Sequence, residues 1–284
     1  MKHTILSILK WLVAFALLGG IVMLIRFYCI GSYRISTDAM ETSLHQGDYI
    51  LVNKLPVKGN PGRNRVVLFT SPLLQDTTTS PLFISRCIGM PGDTIHVNYD
   101  SYNVNGKQIP RSPRTLTTYF VTASAENEFI QALRKLNIPQ RDLKKEAYGF
   151  TLRLTTFEEY QLREELTDDT NLRFINEQTD NYTLVVPQKG HAYRLNNAAL
   201  TACKEAILKE TSGKAVFRNG KLYIDGKETS FFFFKQDYYW MLSDNTNDAV
   251  DSRHLGFIPA DHIIGNALIC WYSQDKQRIL KPVN

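Results

Sequence analysis

The apolar stretch from Ile5 to Ile30 is the feature that most constrains how this chain can fold. No charged residue interrupts the run from Trp11 to Ile25, which lies between Lys10 and Arg26. A helix over the whole stretch is about long enough to cross a ~30 Å hydrocarbon core, with the two charged side chains reaching the two interfaces. The sequence therefore predicts a membrane anchor in residues 1–31 and a separate folded part in residues 32–284.

A cleavable secretory signal would share part of this pattern. Lys2 and Lys10 would supply its basic region, and the run from Trp11 to Ile25 would supply its apolar region. However, the residues that follow are bulky, and Phe27 and Tyr28 leave no small-x-small cleavage site. We therefore expect the helix to be retained as a single membrane span.

Composition limits the classes of protein to which the folded part can belong. With 284 residues, of which 43% are hydrophobic, the chain has enough apolar material for one large domain or two ordinary ones. Its net charge of +5 is small for this length, and no cluster of Lys and Arg alternates with aromatic residues. Both observations argue against nucleic acid as a partner.

The cysteine pattern indicates neither a metal site nor a redox site. The cysteines are widely spaced and form no C-x-x-C pair; they are Cys29, Cys87, Cys203 and Cys270. Cys203 falls on the apolar face of a predicted helix, and Cys87 and Cys270 fall in predicted strands, so we expect buried free thiols. No motif requires a metal or another cofactor, and we expect none.

Short β-type runs separated by turn residues dominate the folded part. The clearest are Tyr49 to Val52, Arg65 to Phe69, Phe83 to Ile88 and Thr94 to Asn98. Two Asn-Gly pairs, Asn105-Gly106 and Asn219-Gly220, are typical of two-residue hairpin turns. The aromatic segments Phe231 to Phe234 and Tyr238 to Trp240 fit either a membrane-contacting patch or two core strands.

Between Ile109 and Gly213 the pattern changes from strand-like to helical. Ser124 is placed to cap one helix, and Thr156 with Glu159 matches a capping box for a second helix. The run from Asn197 to Ser212 predicts a third helix. We therefore expect a mainly β fold with an α/β insertion at about residues 109–213.

The segment from Tyr33 to Lys54 carries the first motif with chemical meaning. Its sequence, I-S-T-D-A-M-E-T-S-L-x-x-G-D-Y-x-L-V-N-K, resembles the nucleophile box of bacterial type I signal peptidases. In that family the box is roughly I-P-S-x-S-M-x-P-T-L-x-x-G-D-x-x-x-V-N-K. The position of the nucleophilic serine is Ala39 in this chain.

Two further segments resemble boxes of the same family. Phe83 to Asp93 is similar to the second catalytic box, roughly Y-x-K-R-x-x-G-x-P-G-D, and the position of the general-base lysine is Ser85. Upstream, Arg63 and the run from Val66 to Phe69 match the box R-G-D-V-V-V-F. In the second catalytic box the surrounding pattern persists but the reactive residue does not, and in the upstream box Asn64 and Arg65 depart from the pattern.

The segment from Asp244 to Pro259 resembles a third block, G-D-N-R-x-x-S-x-D-S-R-x-x-G-x-V/I-P. Its D-S-R core is intact, and we expect Asp251 and Arg253 to form an ion pair that braces the wall of the former active site. Three other positions depart from the block: Ser243 replaces the first glycine, Thr246 the first arginine, and Ala249 the serine that in the family helps to hold the lysine.

This resemblance implies a signal-peptidase-like domain at a bacterial inner membrane, with the globular part exported. It also implies the chemistry of serine endopeptidases of peptidase family S26, in which a serine attacks the scissile carbonyl and a lysine removes its proton. Ala39 has no nucleophilic atom, and Ser85 is neutral near pH 7. Loss of such a nucleophile costs on the order of 10⁶ in rate. We therefore expect a catalytically inactive homologue.

Two other residues bear on any remaining chemistry. Asp38 stands where the family usually has glycine, and its carboxylate would oppose a developing oxyanion electrostatically. Thr37 can still donate a hydroxyl there. We expect three remnants of the catalytic site to persist, namely Thr37, Asp251 and Arg253.

Two alternatives would preserve activity. Engineered replacement of the nucleophile would explain Ala39, but it would not explain Ser85 or the three departures in the third block. A rewired catalyst would need a substitute nucleophile and a substitute base. The candidate nucleophiles are Ser36, Ser43 and Ser85, and the candidate bases are Lys54, His96, His254 and His262.

Peptide binding does not require a nucleophile. In this family the substrate is thought to bind as an added β-strand, which draws affinity from main-chain hydrogen bonds. We therefore expect the chain to bind a signal peptide or preprotein, or an active signal peptidase in the same membrane. The expected groove consists of Ser36, Thr37, Asp38, Ala39, Met40, Ser85 and Arg86.

Overall fold

The computed structural model describes residues 2–55, 60–71, 81–98, 101–176, 181–195 and 197–283. Its helices are α1 (Lys2–Tyr28), α2 (Glu126–Lys135), α3 (Thr156–Glu165), α4 (Asp168–Leu172), α5 (Asn197–Glu210) and α6 (Ser252–Leu255). Its first strands are β1 (Ile30–Arg34), β2 (Tyr49–Asn53), β3 (Val66–Thr70), β4 (Leu82–Gly89), β5 (Thr94–Val97), β6 (Ser101–Val104), β7 (Lys107–Pro110), β8 (Leu116–Thr122), β9 (Arg141–Glu146), β10 (Gly149–Thr155) and β11 (Phe174–Asn176). The later strands are β12 (Tyr182–Val185), β13 (Ala192–Arg194), β14 (Ala215–Arg218), β15 (Lys221–Ile224), β16 (Lys227–Thr229), β17 (Phe231–Phe233), β18 (Tyr238–Leu242), β19 (Ile258–Pro259), β20 (Ile263–Tyr272) and β21 (Lys281–Pro282).

The N-terminal helix α1 forms where the apolar run predicted it. From Lys10 to Tyr28 it is long and apolar enough to cross a membrane, and none of that segment is buried against the rest of the protein. At its end, the Lys54 Nζ lies 3.4 Å from the Phe27 carbonyl oxygen, and the Lys54 N–H donates to the Cys29 carbonyl at 2.8 Å. Lys54 thus satisfies carbonyl groups that a helix end leaves without partners.

The main sheet has the strand order β1-β2-β20-β3-β4-β18-β19, with β21 paired to β20, and its ladders are antiparallel. Strand β3 lies inside this sheet and is buried on both faces. Val66 and Leu68 pack into one apolar cluster, and Val67 and Phe69 pack into another. Burial on both sides explains why this strand is continuously apolar instead of alternating.

A second group of strands shares one large core with α5. It contains the sheet β12-β5-β6-β7, the sheet β14-β15-β16 and the pair β13-β17. Both predicted hairpin turns are confirmed, because Asn105 and Gly106 have φ of 54° and 79° and Asn219 and Gly220 have φ of 49° and 71°. Positive φ at both central residues is the geometry that favours Asn-Gly.

The segment at residues 109–213 contains two different kinds of structure. The sheet β11-β8-β10-β9 packs against α2 and α3 around its own core, which includes Phe129, Phe150 and Phe174. In contrast, β12 and α5 join the large core through Leu184 and Ile207. The mainly β fold with an α/β part and one N-terminal apolar helix is therefore present as predicted.

Local details correct two cap assignments. The capping box of α3 is formed by Thr155 and Glu158, one residue before the predicted pair. Ser124 lies in a short 3₁₀ turn before α2, and the residue that precedes α2, Ala125, makes no side-chain cap. Both errors are shifts of a boundary within a helix whose existence was predicted correctly.

The two ambiguous aromatic segments are resolved by their burial. Tyr238 to Trp240 are buried in the sheet, as are Phe232 and Phe234 in the large core. Phe231 and Phe233 point the other way and are 49% and 62% exposed. The four cysteines are free thiols, and Cys87, Cys203 and Cys270 are buried, as expected.

Thr155→Ala should lower the free energy of unfolding by about 1 kcal/mol, because the helix loses its N-cap acceptor. The Thr155 hydroxyl accepts the Glu158 N–H at 3.2 Å, and the Glu158 carboxylate accepts the Thr155 N–H at 2.8 Å. Thr155→Ser keeps the hydroxyl and is the matched control. Denaturant unfolding of the full chain in detergent, followed by circular dichroism, measures the difference. A larger loss for Thr156→Ala than for Thr155→Ala would show that the cap has been assigned to the wrong residue.

Candidate active site

The loop that carries Ala39 connects β1 to β2 and is closed at its base. The Ile35 N–H donates to the Asp48 carbonyl at 2.8 Å, and the Gly47 N–H donates to the Ile35 carbonyl at 2.9 Å. Residues 36–38 are exposed, whereas Ala39 is only 5% exposed and Met40 is fully buried. The expected groove residues therefore divide into an exposed part, Ser36 to Asp38, and a buried part.

Asn245 in the third block fastens this loop. Its N–H donates to the Ala39 carbonyl at 3.0 Å. Its side-chain Nδ2 donates to the Asp38 carbonyl at 3.1 Å and to the Glu41 Oε2 at 3.3 Å. The backbone around position 39 is thus held on both sides by one residue of the third block.

Ser85 lies in β4, opposite Val67 of β3, and is fully buried. Its Oγ lies 2.9 Å from the Oγ of Ser243. Strand β18 pairs with β4 at Arg86, Cys87 and Gly89, so that ladder ends before Ser85. The position of the general base is therefore occupied by a pair of neutral hydroxyl groups that satisfy one another.

Arg86 and Asp244 form a buried ion pair next to this hydroxyl pair. The Arg86 Nε and Nη2 donate to the two carboxylate oxygens of Asp244 at 3.0 and 2.7 Å, and the side chains are 4% and 3% exposed. Ser43 also donates its hydroxyl to the Asp244 Oδ2 at 3.2 Å. Both residues belong to motifs noted in the sequence, but nothing in the motifs indicated that the two would meet.

The ion pair expected between Asp251 and Arg253 is present. The Arg253 Nε and Nη2 each lie 2.9 Å from the Asp251 carboxylate, which is completely buried, while the Arg253 side chain is 18% exposed. The same carboxylate accepts the backbone N–H of Arg253 at 3.1 Å and that of Ser243 at 2.9 Å. Asp251 therefore positions the residue that contacts Ser85.

Thr246 stands at the family's arginine position and links the third block to the inserted sheet. Its Oγ1 donates to the Leu116 carbonyl at 2.7 Å, and the Leu116 N–H donates to the Asp244 carbonyl at 2.7 Å. Ala249, which replaces the serine that supports the lysine in the family, is buried. All three departing residues, Ser243, Thr246 and Ala249, are therefore buried in the structure.

The candidate substitute nucleophiles and bases are not brought together. The hydroxyls of Ser43 and Ser85 bond to Asp244 and Ser243, as described above, instead of to a lysine or histidine. Ser36 is exposed, and the Lys54 Nζ lies 5.8 Å from the centre of the Tyr33 ring at the end of the anchor.

The three histidines also have other surroundings. His96 and His254 are exposed, and the His96 Nδ1 lies 2.7 Å from the Thr183 Oγ1. His262 is buried, with its Nδ1 2.9 Å from the Thr70 Oγ1 and its Nε2 2.8 Å from the Lys209 Nζ. Burial and the nearby Lys209 charge lower the pKa of His262, so its neutral form is favoured.

The buried thiol of Cys87 is the remaining nucleophilic side chain near Ser85 in the sequence. Burial raises the pKa of this thiol well above its ordinary value, with the Arg63 charge acting weakly in the opposite direction. Because the thiolate is the reactive form, Cys87 stays protonated and inert. It does not replace the missing serine.

Comparison with known proteins identifies one family. The family model described as Signal peptidase, peptidase S26 matches residues 8–272, which include all the motif segments. Signal peptidase I of Aquifex aeolicus (strain VF5) is 27% identical over 269 residues, covering 89% of this chain and 79% of the relative. Signal peptidase I of Buchnera aphidicola subsp. Schizaphis graminum (strain Sg) is 24% identical over 270 residues, covering 90% and 72%. Signal peptidase I S of Bacillus subtilis (strain 168) is 30% identical over 105 residues, covering 36% and 53%.

Asp251→Ala should destabilise the protein more than Arg253→Ala. Loss of the buried carboxylate removes the acceptor of two backbone N–H groups as well as the ion pair, and we expect a cost of about 3 kcal/mol. Loss of the partly exposed arginine leaves those two backbone bonds in place, and we expect about 1–2 kcal/mol.

Denaturant unfolding of both single variants and of the double variant measures these costs and their coupling. The double variant should lose at least 0.5 kcal/mol less than the sum of the single variants, as is usual for residues in contact. Equal and additive losses would contradict the central role that the contacts give to Asp251.

Proposed function

Because the chain belongs to the peptidase S26 family of signal peptidases, we propose that it is a membrane-anchored homologue that does not cleave peptides and serves protein export by binding. The observation that carries this proposal is the pair of replaced positions. Ala39 is a buried alanine, and Ser85 is a buried serine bonded to Ser243. Neither a nucleophile nor a base is available where the family has them.

The chemical step fails for two independent reasons. A methyl group at position 39 cannot attack a carbonyl carbon. A serine hydroxyl is neutral near pH 7 and is too weak a base to take up a proton, whereas a buried lysine can be tuned to do so. Restoring one of the two groups therefore leaves the other step without a catalyst.

The proposed binding function uses the exposed rim of the former cleft. Residues 36–38 are exposed, and Leu82 and Phe83 of β4 are half-buried at the part of the strand that β18 does not pair with. A peptide added along such an edge gains main-chain hydrogen bonds without any catalytic group. Met40, Ser85 and Arg86 are buried, so they would support this surface from below instead of contacting the peptide.

The proposed occupant is a signal peptide, a preprotein or an active signal peptidase in the same membrane. The curated relatives are named signal peptidase I, and this supports a preprotein as the first choice. Residues 32–284 would then lie on the extracytoplasmic side of a bacterial inner membrane, where signal peptides emerge. Labelling of an introduced exposed cysteine with a membrane-impermeant reagent in intact cells tests this orientation.

Purified full-length protein should show no cleavage of a preprotein above a buffer control, while an active signal peptidase I cleaves the same preprotein in parallel. Ala39→Ser should recover nothing measurable, because no base is restored. Ala39→Ser combined with Ser85→Lys should also fail, since the Ser243 hydroxyl lies 2.9 Å from the Ser85 Oγ and occupies the space that a lysine needs.

Two results would contradict this account. If the natural sequence cleaved the preprotein and if Ser36→Ala, Ser43→Ala or Ser85→Ala abolished that cleavage, a rewired enzyme would be established. Substantial activity of Ala39→Ser alone would show that a base exists somewhere other than at position 85. Gel electrophoresis of the preprotein substrate distinguishes both results from the expected one.

A photoreactive residue at Thr37 should crosslink to a signal peptide or to a signal peptidase in isolated membranes. Thr37 is a better position than Ala39 for the photoreactive residue, because Thr37 is exposed and Ala39 is buried. The matched control places the same photoreactive residue at Lys227, an exposed position on a hairpin of the other strand group. Mass spectrometry identifies the adducts. If the control position formed adducts with a signal peptide or signal peptidase and position 37 formed none, another surface would bind the partner.

A further inference from the structure

The junction between the anchor and the folded part forms an open cavity of about 790 Å³. One wall is the last part of α1, including Gly20, Met23 and Leu24. The opposite wall is formed by β1 and by the residue that follows β2, with Tyr33 and Lys54. The cavity therefore extends along the helix and ends where the helix meets the first two strands.

The mouth of this cavity carries positive charge without a compensating acid. Arg26 and Lys54 line it, and none of its lining residues is Asp or Glu. Among the described residues, the Lys54 ammonium contacts the Phe27 carbonyl at 3.4 Å and the Tyr33 ring at 5.8 Å, both of which are uncharged. The carbonyl end of a helix carries roughly half a negative charge, so two cations leave a net positive site.

The cavity spans two chemical environments. Gly20 and Arg26 are six residues apart, which is about 9 Å along a helix with a rise of 1.5 Å per residue. The apolar side chains of Met23 and Leu24 are exposed along this length, and Phe27 and Tyr28 are exposed at its end. Aromatic residues at the end of a spanning helix mark the headgroup level of a bilayer. In a bilayer, the apolar part of the cavity would therefore face hydrocarbon, and the basic part would face phosphate groups.

We propose that this cavity binds an anionic glycerophospholipid. One acyl chain lies along Gly20, Met23 and Leu24, and the phosphate is held by Arg26 and Lys54. Lys54 then has two tasks, because it caps the anchor and attracts the headgroup. This inference does not depend on whether the protein cleaves peptides, since none of these residues belongs to the former catalytic positions.

Two glycine variants test the acyl-chain part of the site. A Cβ at Gly20 or at Gly19 meets nothing within 4 Å, so a leucine is tolerated at either position, but only Gly20 lines the cavity. Native mass spectrometry of full-length protein in detergent, titrated with phosphatidylglycerol or phosphatidylcholine, counts the bound lipids. Gly20→Leu should reduce phosphatidylglycerol binding at least threefold, and Gly19→Leu should leave it unchanged.

Charge variants test the headgroup part. Arg26→Gln should weaken phosphatidylglycerol binding about fivefold, since a basic residue near the headgroups contributes about 1 kcal/mol. Lys10→Gln, at the other end of the anchor, is the matched control and should have no effect. Lys54→Gln should act like Arg26→Gln, and a thermal unfolding curve in the same detergent shows whether the variant remains folded.

Three outcomes would overturn the proposal. One is equal binding of phosphatidylglycerol and phosphatidylcholine by the natural sequence. Another is equal loss in Gly20→Leu and Gly19→Leu, or in Arg26→Gln and Lys10→Gln. The third is displacement of the lipid by millimolar glycerol phosphate, because a site for a free phosphate would need no acyl-chain groove.

Discussion

The buried ion pair between Arg86 and Asp244 is the contact on which the candidate site depends. It joins the second box to the third block, and Asp244 also receives a hydrogen bond from Ser43 of the nucleophile box. The backbone carbonyl of Asp244 accepts the N–H of Leu116 in the inserted sheet. A buried pair of this kind adds little net stability over apolar residues of the same size, but removing one partner leaves an unmatched buried charge. The pair therefore fixes how the segments meet more than it adds to overall stability.

Burial of this site makes the serines at positions 85 and 243 compatible with one another. A lysine at position 85 would have to be buried, and desolvation would disfavour its charged form. Ser85 and Ser243 remove that problem, because two hydroxyls satisfy each other at 2.9 Å and bury no charge. The Asp251 carboxylate accepts the N–H of Ser243 and so holds the Ser243 backbone in place. The site thus has the hydrogen bonding of a satisfied core.

The sequence could predict features that depend on neighbours in the chain. The anchor follows from an unbroken apolar run, the two hairpins follow from Asn-Gly pairs, and the Asp251–Arg253 pair spans only two residues. The cap of α3 was missed by one residue because Thr155 and Thr156 are both suitable caps, and the backbone geometry alone selects between them. The Arg86–Asp244 pair joins residues 158 positions apart, so it depends on how the strands assemble. The contact of Thr246 with Leu116 was hidden for the same reason.

The inserted sheet adds a further constraint on the candidate site. Arg153 of β10 donates to the Asn245 Oδ1 at 3.2 Å and to the Asp248 carboxylate at 2.9 Å, and it lies 3.5 Å from the Glu41 carboxylate. One side chain thus holds the third block and the end of the nucleophile loop together, with 13% of its surface exposed. Asn245 and Arg153 together fix these two segments to each other, so their relative position depends on side chains from the inserted sheet and from the third block.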